Sequence, residues 1–391
     1  MSTTTTLDQQ IEFLNEIDKL KGVDRSSYIV DGTRFENSAE HSWHLALYAL
    51  ILAPHAPDGV DTLRAIQMLL LHDIVEIDVG DHPIDLPTDW EAVALQEQTA
   101  AQRIFGMLPM AQGEGLLTIW QEFEAAETPT AQFAKSLDAC QPIFQTLANA
   151  RDIPDHIEIV KDNLTTGRAK SLSTRFPQAH AQAAHQLGWQ EAPAPADFQQ
   201  RVAFLLEVDK LKTVTRATKL CDNSRKETSG EHSWHIAMYA WVLAKHAHAE
   251  VDISRVLSML LIHDLVEIDV GDAPIHGDHD VSEIEAQEAA AADRIFGLLP
   301  SDQGQSLRTL WEEFEAAQSA DAVFAKSVDR VQPVNANLET GGGSWVDYKV
   351  SRQQLEDRVG WKVAKGAPAV WDHLQARIAA WFTANADKIS A

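Results

Sequence analysis

The chain is a tandem duplication in which one set of histidine and aspartate residues occurs twice at a constant offset. Position 41 is matched by 232, 73 by 264 and 138 by 329, so the shift is 191 residues at each place. Because this shift is constant from the first histidine to the last aspartate, the copied unit contains no net insertion or deletion over that range. The sequence therefore predicts two similar domains, each with its own copy of one site.

Length and composition agree with two domains. The 391 residues are long for a single core, and two units of about 190 residues fall within the usual size of a domain. With 45% hydrophobic residues, each half can bury a core. The segment 191–197 reads EAPAPAD, and its alternating prolines stiffen a connection. We predict a first domain over residues 1–190, an Ala/Pro linker over 191–197 and a second domain over 198–391.

Both halves show the patterns of helices. The segments 40–53 and 63–76 lack proline and glycine and are rich in leucine and alanine, which predicts helices. The segments 92–105 and 116–126 have the apolar spacing of amphipathic helices. No run alternates convincingly with a period of two. The predicted fold class is therefore all-α, with two tandem helical bundles.

Charge and patterning exclude several kinds of partner. The formal net charge of −26 argues against a nucleic acid polymer, which proteins hold largely through lysine and arginine. Residues 1–10 lack the basic start and apolar run of a signal peptide, and no later stretch is apolar for long enough to span a bilayer. Cys140 and Cys221 do not correspond between the repeats, so no thiolate metal site is implied. We expect a cytoplasmic protein without a membrane partner.

The repeated residues form a candidate metal site of imidazole and carboxylate groups. Without a thiolate, such ligands suit Mn, Fe, Co, Ni or Mg rather than a structural zinc. On a helix, Glu76 and Glu267 follow each His-Asp pair by about one turn, which places a free carboxylate beside each metal. The candidate ligands are His41, His72, Asp73 and Asp138 in the first half, and His232, His263, Asp264 and Asp329 in the second.

Several repeated residues near these ligands have simpler interpretations. His44 and His235 lie one turn from a ligand histidine on an apolar helix, so we interpret them as core or supporting residues. Glu36 and Glu227 can be solvated charges or residues at a helix start, and we assign them no role in the site.

These motifs resemble a known family. The pattern His…His-Asp…Asp, with Glu-His-Ser after Arg-x-Glu and with His-Asp-x-x-Glu-x-x-x-Gly-Asp, is similar to the HD-domain metal-dependent phosphohydrolases, in particular the group containing bacterial and eukaryotic 5'-deoxynucleotidases. The resemblance covers nearly all of both halves. It implies helical bundles that each hold one divalent metal (Mn, Co, Mg, Ni or Fe) through the residues above. It also implies that Glu76 and Glu267 act as acid/base and that the substrate is a small phosphorylated metabolite, a nucleoside 5'-monophosphate.

Such a reaction needs cations around the phosphate. Attack by a metal-activated water builds charge on the equatorial phosphate oxygens, which arginine and lysine can stabilise. Since members of the family form homodimers, the resemblance further implies that the duplication fused such a pair into a pseudo-dimer within one chain. The candidate phosphate-binding residues are Arg25, Arg34 and Lys135, with Arg216, Arg225 and Lys326 in the second half.

The two halves differ from the family and from each other. Ser26 and Ala217 stand where relatives can carry an aromatic residue that contacts the nucleoside. The second half contains the glycine-rich segment 337–345 (NLETGGGSW), whose counterpart at 146–154 has no glycine. These glycines allow either a close approach of the backbone to a ligand or a sharp turn. Our hypothesis is that the two sites differ in substrate access, with the second nearer the family pattern.

Other functions remain open at this point. Oxidation at a di-iron centre needs further histidines between the His-Asp pair and the final aspartate, where the first half offers only His82. Hydrolysis of guanosine tetraphosphate expects Glu-Asp soon after His-Asp, where this chain has Glu76-Ile77 and Glu267-Ile268. A non-catalytic nucleotide-binding or sensor protein would need the metal but not the two glutamates. Their presence favours hydrolysis.

Overall fold

The computed structural model of this chain describes residues 5–83, 88–149, 151, 153–277 and 280–389. Helices account for most of these residues, and the strands among them are short and form two hairpins. The all-α prediction is thereby confirmed. None of the described helices combines the length and the hydropathy that a membrane crossing requires.

The first repeat begins with a helix and a hairpin and continues as helices. Its elements are α1 (Thr6–Ile17), β1 (Asp24–Tyr28), β2 (Phe35–Asn37), α2 (Ser38–Leu52), α3 (Thr62–Leu71), α4 (Glu76–Val79), α5 (Trp90–Phe105), α6 (Met110–Ala125), α7 (Pro129–Ala148), α8 (Pro154–Thr165), α9 (Leu172–Arg175) and α10 (Pro177–Gln186).

The second repeat follows the same order and ends in additional short helices. Its elements are α11 (Ala196–Val208), β3 (Thr215–Lys219), β4 (Lys226–Thr228), α12 (Ser229–Leu243), α13 (Ile253–Ile262), α14 (Glu267–Val270), α15 (Val281–Phe296), α16 (Ser301–Ala316), α17 (Ala320–Glu339), α18 (Gly343–Asp347), α19 (Arg352–Leu355), α20 (Trp361–Gly366), α21 (Pro368–Ala384) and α22 (Ala386–Ile389).

Three central helices position the candidate site in each repeat. Helices α2, α3 and α7 pack together in the first repeat, as α12, α13 and α17 do in the second. α2 is buried along nearly its whole length because it is apolar on most of its circumference. His41 lies on α2, His72 follows the last residue of α3, and Asp138 lies on α7. Packing of these helices therefore brings ligands from distant parts of the sequence together.

The two hairpins are absent from the sequence prediction. β1 pairs with β2, and β3 with β4, in antiparallel register. The partner strands have only three residues each, so they are too short to show an alternating pattern. Each hairpin leads directly into a central helix, which starts with a capping box formed by Asn37 and Glu40 or by Thr228 and Glu231.

The helix predicted over 63–76 is interrupted after Leu71. Beyond this residue the backbone hydrogen bonds span three residues rather than four, which tightens the chain into a turn. Trp120 Nε1 also donates a hydrogen bond to the carbonyl of His72 at 3.2 Å, which occupies an oxygen that a continuing helix would use. The prediction of a regular helix through the His-Asp pair is therefore wrong. The second repeat breaks at the equivalent place.

The chain folds into two compact units. The first helix of each repeat belongs to the unit that contains the site of the other repeat. One unit, here called the first-site unit, comprises residues 20–210 and 295–304. The other, the second-site unit, comprises residues up to 19, 211–294 and 305–391. Helix α1 of the first repeat thus belongs to the second-site unit, and α11 of the second repeat belongs to the first-site unit. The predicted boundary at 191–197 separates the two sequence repeats. The compact units instead divide the chain after residues 19, 210, 294 and 304.

Buried hydrogen bonds fix each exchanged helix in its unit. In the first-site unit, His44 Nε2 donates to the carbonyl of Leu205 at 2.9 Å. In the second-site unit, His235 Nε2 donates to the carbonyl of Leu14 at 2.8 Å. Both histidines are fully buried. They hold the exchanged helices in place, a structural role in keeping with their interpretation as core or supporting residues.

This exchange predicts crossed effects for two equivalent leucines. Leu14 and Leu205 are 191 positions apart and both fully buried, so Leu→Ala at either should cost about 2–5 kcal/mol of stability. We expect Leu14→Ala to speed hydrogen–deuterium exchange in α12, and Leu205→Ala to speed it in α2. Each variant is the matched control for the other. If Leu14→Ala loosened α2 and left α12 protected, the exchange would be excluded.

Candidate metal and catalytic site

The structure brings together three of the four predicted ligands of the first site from separate helices. Single ligand atoms of His41, His72 and Asp138 all lie within 4.8 Å of one another. Asp138 Oδ1 is 3.2 Å from His41 Nε2 and 3.9 Å from His72 Nε2. The fourth residue, Asp73, places Oδ1 3.0 Å from His72 Nε2. All four side chains therefore converge on one small volume.

The second site has nearly the same geometry. His232, His263 and Asp329 again form a group within 4.8 Å. His232 Nε2 is 3.1 Å from Asp329 Oδ1, and His263 Nε2 is 2.9 Å from Asp264 Oδ1. The exact offset in the sequence is thus matched by near-identical distances in space.

The hydrogen bonds of one histidine in each site test whether a metal fits. His72 Nδ1 lies 2.9 Å from the carbonyl of Leu69. A carbonyl only accepts, so Nδ1 carries the proton and Nε2 presents a lone pair. Nε2 is buried and has no hydrogen-bond partner among the described residues. His263 repeats this arrangement through the carbonyl of Leu260. Buried lone pairs facing carboxylates suit a divalent cation, and the donor set supports one.

Glu36 and Glu227, which have no role in the sequence prediction, lie behind ligand histidines. Glu36 is fully buried on β2, with Oε2 3.3 Å from His41 Nδ1. Glu227 is equally buried, with Oε1 3.5 Å from His232 Nδ1. A carboxylate at the second ring nitrogen orients a ligand histidine and increases its basicity. Their repetition at the same offset is the signal that could have revealed them.

The candidate acid/base residues lie beside the ligands. Ser38 Oγ donates a hydrogen bond to Glu76 Oε2 at 2.5 Å, and Ser229 does the same for Glu267. Burial, followed by the charge of Asp73, raises the pKa of Glu76 well above its usual range, although nearby Arg25 opposes the shift. A cation held by the neighbouring ligands would favour the ionised carboxylate. A base can thus be kept close to the cluster without being one of the four ligands.

Arg25 lies within the acidic side of the first site. Its Nη1 is 2.6 Å from Asp73 Oδ2, 3.8 Å from Glu76 Oε1 and 3.9 Å from Asp81 Oδ1. Arg216 makes the equivalent contacts in the second site, beginning at 2.7 Å from Asp264. These two predicted phosphate-binding arginines therefore lie at the ligand cluster, where a guanidinium can meet phosphoryl oxygens.

Two matches to one family model cover most of this chain. The model is described as an HD domain, and it matches residues 17–180 and 208–371. The chain belongs to the HD domain family. Both matches contain the full ligand set, and they are displaced by the same 191 residues. The predicted family and its tandem duplication are confirmed.

Curated relatives resemble part of the chain. A human protein named 5'-deoxynucleotidase HDDC2 is 30% identical over 138 residues, which are 34% of this chain and 65% of that protein. The Bos taurus protein of the same name is 33% identical over 132 residues, 34% of this chain and 63% of that protein. The Dictyostelium discoideum protein of that name is 30% identical over 146 residues, 36% of this chain and 76% of its own. The matched region spans a little under two thirds of the human and bovine relatives.

A solved structure also matches. It is titled "Crystal structure of Predicted metal-dependent phosphohydrolase from Magnetospirillum magnetotacticum MS-1 at 1.37 A resolution". It is 43% identical and covers 48% of this chain and 94% of that chain, with a TM-score of 0.46.

The two predicted lysines make equivalent ion pairs in the two HD domains. Lys135 lines the first-site cavity, with Nζ 2.9 Å from Glu124 Oε1 and 3.8 Å from the centre of the Phe123 ring. Lys326 Nζ lies 2.9 Å from Glu315 Oε2. A carboxylate therefore partly neutralises the charge of each lysine. A phosphate would have to compete with that carboxylate for the lysine.

Arg34 and Arg225 form ion pairs at the start of a central helix in each repeat. Arg34 Nη2 is 2.6 Å from Glu40 Oε1, and Arg225 Nη2 is 2.5 Å from Glu231 Oε1. Both glutamates belong to capping boxes at the start of a central helix. The contacts of these arginines therefore serve the helix start. Their role in phosphate binding stays a prediction.

A large cavity opens onto the first HD domain. Its volume is about 570 Å³, and its lining includes His72, Asp73 and Asp138. A cavity beside Arg216 in the second domain has a volume of about 60 Å³ and is lined in part by Trp345. The lining of this smaller cavity contains none of the candidate ligands of the second site, so the two cavities differ in position and lining as well as in volume.

The glycine-rich segment shapes the wall of the second domain. Gly341, Gly342 and Gly343 all have positive φ, at 68°, 118° and 40°. A Cβ on Gly342 would collide with the Trp381 ring, and one on Gly343 with the side chain of Asn337. The loop therefore folds sharply against its own domain. This geometry favours the sharp turn over close approach to a ligand.

Proposed function

We propose that each HD domain of this chain binds one divalent ion and hydrolyses phosphomonoesters, with nucleoside 5'-monophosphates as principal substrates. The observation that carries this proposal is a carboxylate beside each ligand cluster, from the largely buried Glu76 and the buried Glu267. A protein that only binds a nucleotide needs no such group. The proposed ligands are His41, His72, Asp73 and Asp138 in the first domain and His232, His263, Asp264 and Asp329 in the second.

The chain's own residues prepare the reaction. A divalent ion, when bound, supplies Lewis acidity and makes hydroxide available near neutral pH. Ser38 occupies Oε2 of Glu76, which leaves Oε1 to accept a proton from the attacking water. Arg25 lies 3.8 Å from Oε1 and supplies positive charge for phosphoryl oxygens as they become more negative.

The substrate class is supported by the relatives and by the first-site cavity. The human and bovine relatives are named 5'-deoxynucleotidases. The cavity of about 570 Å³ lies within the usual size of small-ligand pockets, roughly 300–1,000 Å³. His82 also lines this cavity, but it belongs to none of the ligand groups found among the described residues. A two-metal oxidative centre therefore gains no support.

Phosphate release tests the proposal directly. Protein loaded separately with Mn, Co, Mg, Ni or Fe should release phosphate from nucleoside 5'-monophosphates with at least one metal. Asp73→Ala and Asp264→Ala should each remove one site's share of the turnover, and the double variant should lose nearly all of it. The two single variants also show which site carries more turnover. Absence of release by wild-type protein with confirmed metal occupancy would overturn the proposal in favour of a sensor.

A further inference from the structure

Two arginines that line the first-site cavity have no ion-pair partner in the part of the chain that the structure describes. Arg168 and Arg175 line it, and neither has a carboxylate within ion-pair distance among the described residues. In contrast, Arg25 and Lys135 in the same cavity pair with carboxylates at 2.6 and 2.9 Å. In a chain with a net charge of −26, guanidinium groups left unpaired at a cavity are available to an anion.

These arginines lie at the exposed end of the cavity. Both are exposed, and Arg168 Cζ is 4.3 Å from the centre of the Trp90 ring, which is itself 40% exposed. The ligand His72 is only 4% exposed. The cavity therefore runs from a buried end with the metal ligands to a mouth with a guanidinium held against an indole. A ligand that fills it reaches both ends.

Glu97 contributes a carboxyl to the same cavity. Burial, followed by the charge of Glu124, raises the pKa of Glu97 to about 7, while Lys135 and Arg168 oppose the shift. Near neutral pH this carboxyl is partly protonated, so it cancels the positive charge of the mouth only in part.

The second repeat does not carry this arrangement. At an offset of 191 residues, the counterparts of Arg168, Arg175 and Trp90 are Val359, Gly366 and Val281. Besides Arg216, the second domain has a further cation at its candidate ligands, because Arg330 Nε lies 3.5 Å from Asp329 Oδ2. Extra positive charge is thus found at the mouth of the first site and at the ligands of the second.

We propose that the first HD domain binds substrates with a second phosphate remote from the scissile one, and that Arg168 and Arg175 form the subsite for it. The second domain lacks this subsite. The inference rests on the proposed function, which places the scissile phosphate at the metal ligands. Nucleoside 3',5'-bisphosphates and sugar bisphosphates share this chemistry.

Single-site proteins test the subsite. Asp264→Ala leaves only the first site active, and Asp73→Ala only the second. With the first site, KM for 2'-deoxyadenosine 3',5'-bisphosphate should be about tenfold or more below KM for 2'-deoxyadenosine 5'-monophosphate. Adding Arg168→Ala and Arg175→Ala should bring the ratio near one. The second site alone should show no preference. Fructose 1,6-bisphosphate against fructose 6-phosphate distinguishes a sugar substrate from a nucleotide.

A matched control removes two arginines elsewhere. Arg352→Ala with Arg377→Ala changes the net charge equally, and the preference should survive. Titration calorimetry of adenosine 3',5'-bisphosphate against Mn-loaded protein that carries Glu76→Gln and Glu267→Gln, with and without Arg168 and Arg175, tests binding with turnover suppressed. Unchanged KM ratios or unchanged affinity after loss of these two arginines would overturn the subsite. If no protein releases phosphate, the proposed function fails, and the calorimetry alone decides the subsite.

Discussion

Replacing His72 and His263 together with alanine is expected to abolish metal binding at both sites and to lower phosphate release by roughly a thousandfold or more. Each Nε2 is a buried lone pair without a hydrogen-bond partner among the described residues, so a metal is its natural partner. Alanine removes a ligand from each cluster. Metal content by mass spectrometry should fall by one ion per chain for either single variant and by two for the double variant.

Surface histidines provide the control for this experiment. His185 and His248 are exposed, and one belongs to each compact unit. His185→Ala with His248→Ala removes the same number of imidazoles and should leave both metals and turnover in place. Full metal occupancy in the His72/His263 double variant would contradict the proposed ligand set. Loss of only one metal would assign the second ion to other residues.

Changing Glu76 and Glu267 to glutamine is expected to keep the metals and to lower kcat by about 10²–10⁴-fold. Glutamine has the same shape and can still accept the hydrogen bond from Ser38 or Ser229, but it cannot take a proton from water. KM should change much less than kcat because Arg25 and Arg216, which we propose contact the phosphate, remain. Steady-state kinetics at matched metal occupancy separates the two effects.

A second pair of repeated glutamates serves as the control. Glu122 and Glu313 pair with Arg64 and Arg255 outside the ligand cluster. Glu122→Gln with Glu313→Gln should therefore retain kcat. If Glu76→Gln with Glu267→Gln retained more than about a tenth of wild-type kcat, the acid/base assignment would be wrong, and the metal-bound water would need another proton acceptor.

The sequence predicts those features of the site that depend on residue type and spacing. It does not predict features that depend on contacts between distant residues. The four ligand types and the neighbouring glutamate could be predicted because they recur at one offset and because their chemistry belongs to the residues themselves. Repetition at the same offset could have marked Glu36 as important, but its role depends on a three-residue strand that places its carboxylate behind His41. The charge of Arg34 predicts phosphate binding, whereas its ion pair with Glu40 depends on how the start of α2 is capped.

The exchange of helices bears on how the duplication arose. Helix α1 lies in the second-site unit and α11 in the first-site unit. A chain with a single repeat could make the same exchange only with a second copy of itself. We therefore infer that the duplication joined the two members of one such exchanged pair. The crossed effects of Leu14→Ala and Leu205→Ala test whether the helices are exchanged.

The sequence by itself determined an all-α chain, two copies of one domain and the chemistry of the ligands, because periodicity, spacing and side-chain type are properties of neighbouring residues. Only the tertiary structure decided which core α1 and α11 cover and how much space surrounds the first site. An apolar face on a helix indicates that the helix packs against a core. It does not indicate which of two similar cores the helix packs against. Cavity volume likewise depends on segments after each ligand set, such as those containing Arg168 and Trp345, whose positions are fixed by packing between residues distant in the chain.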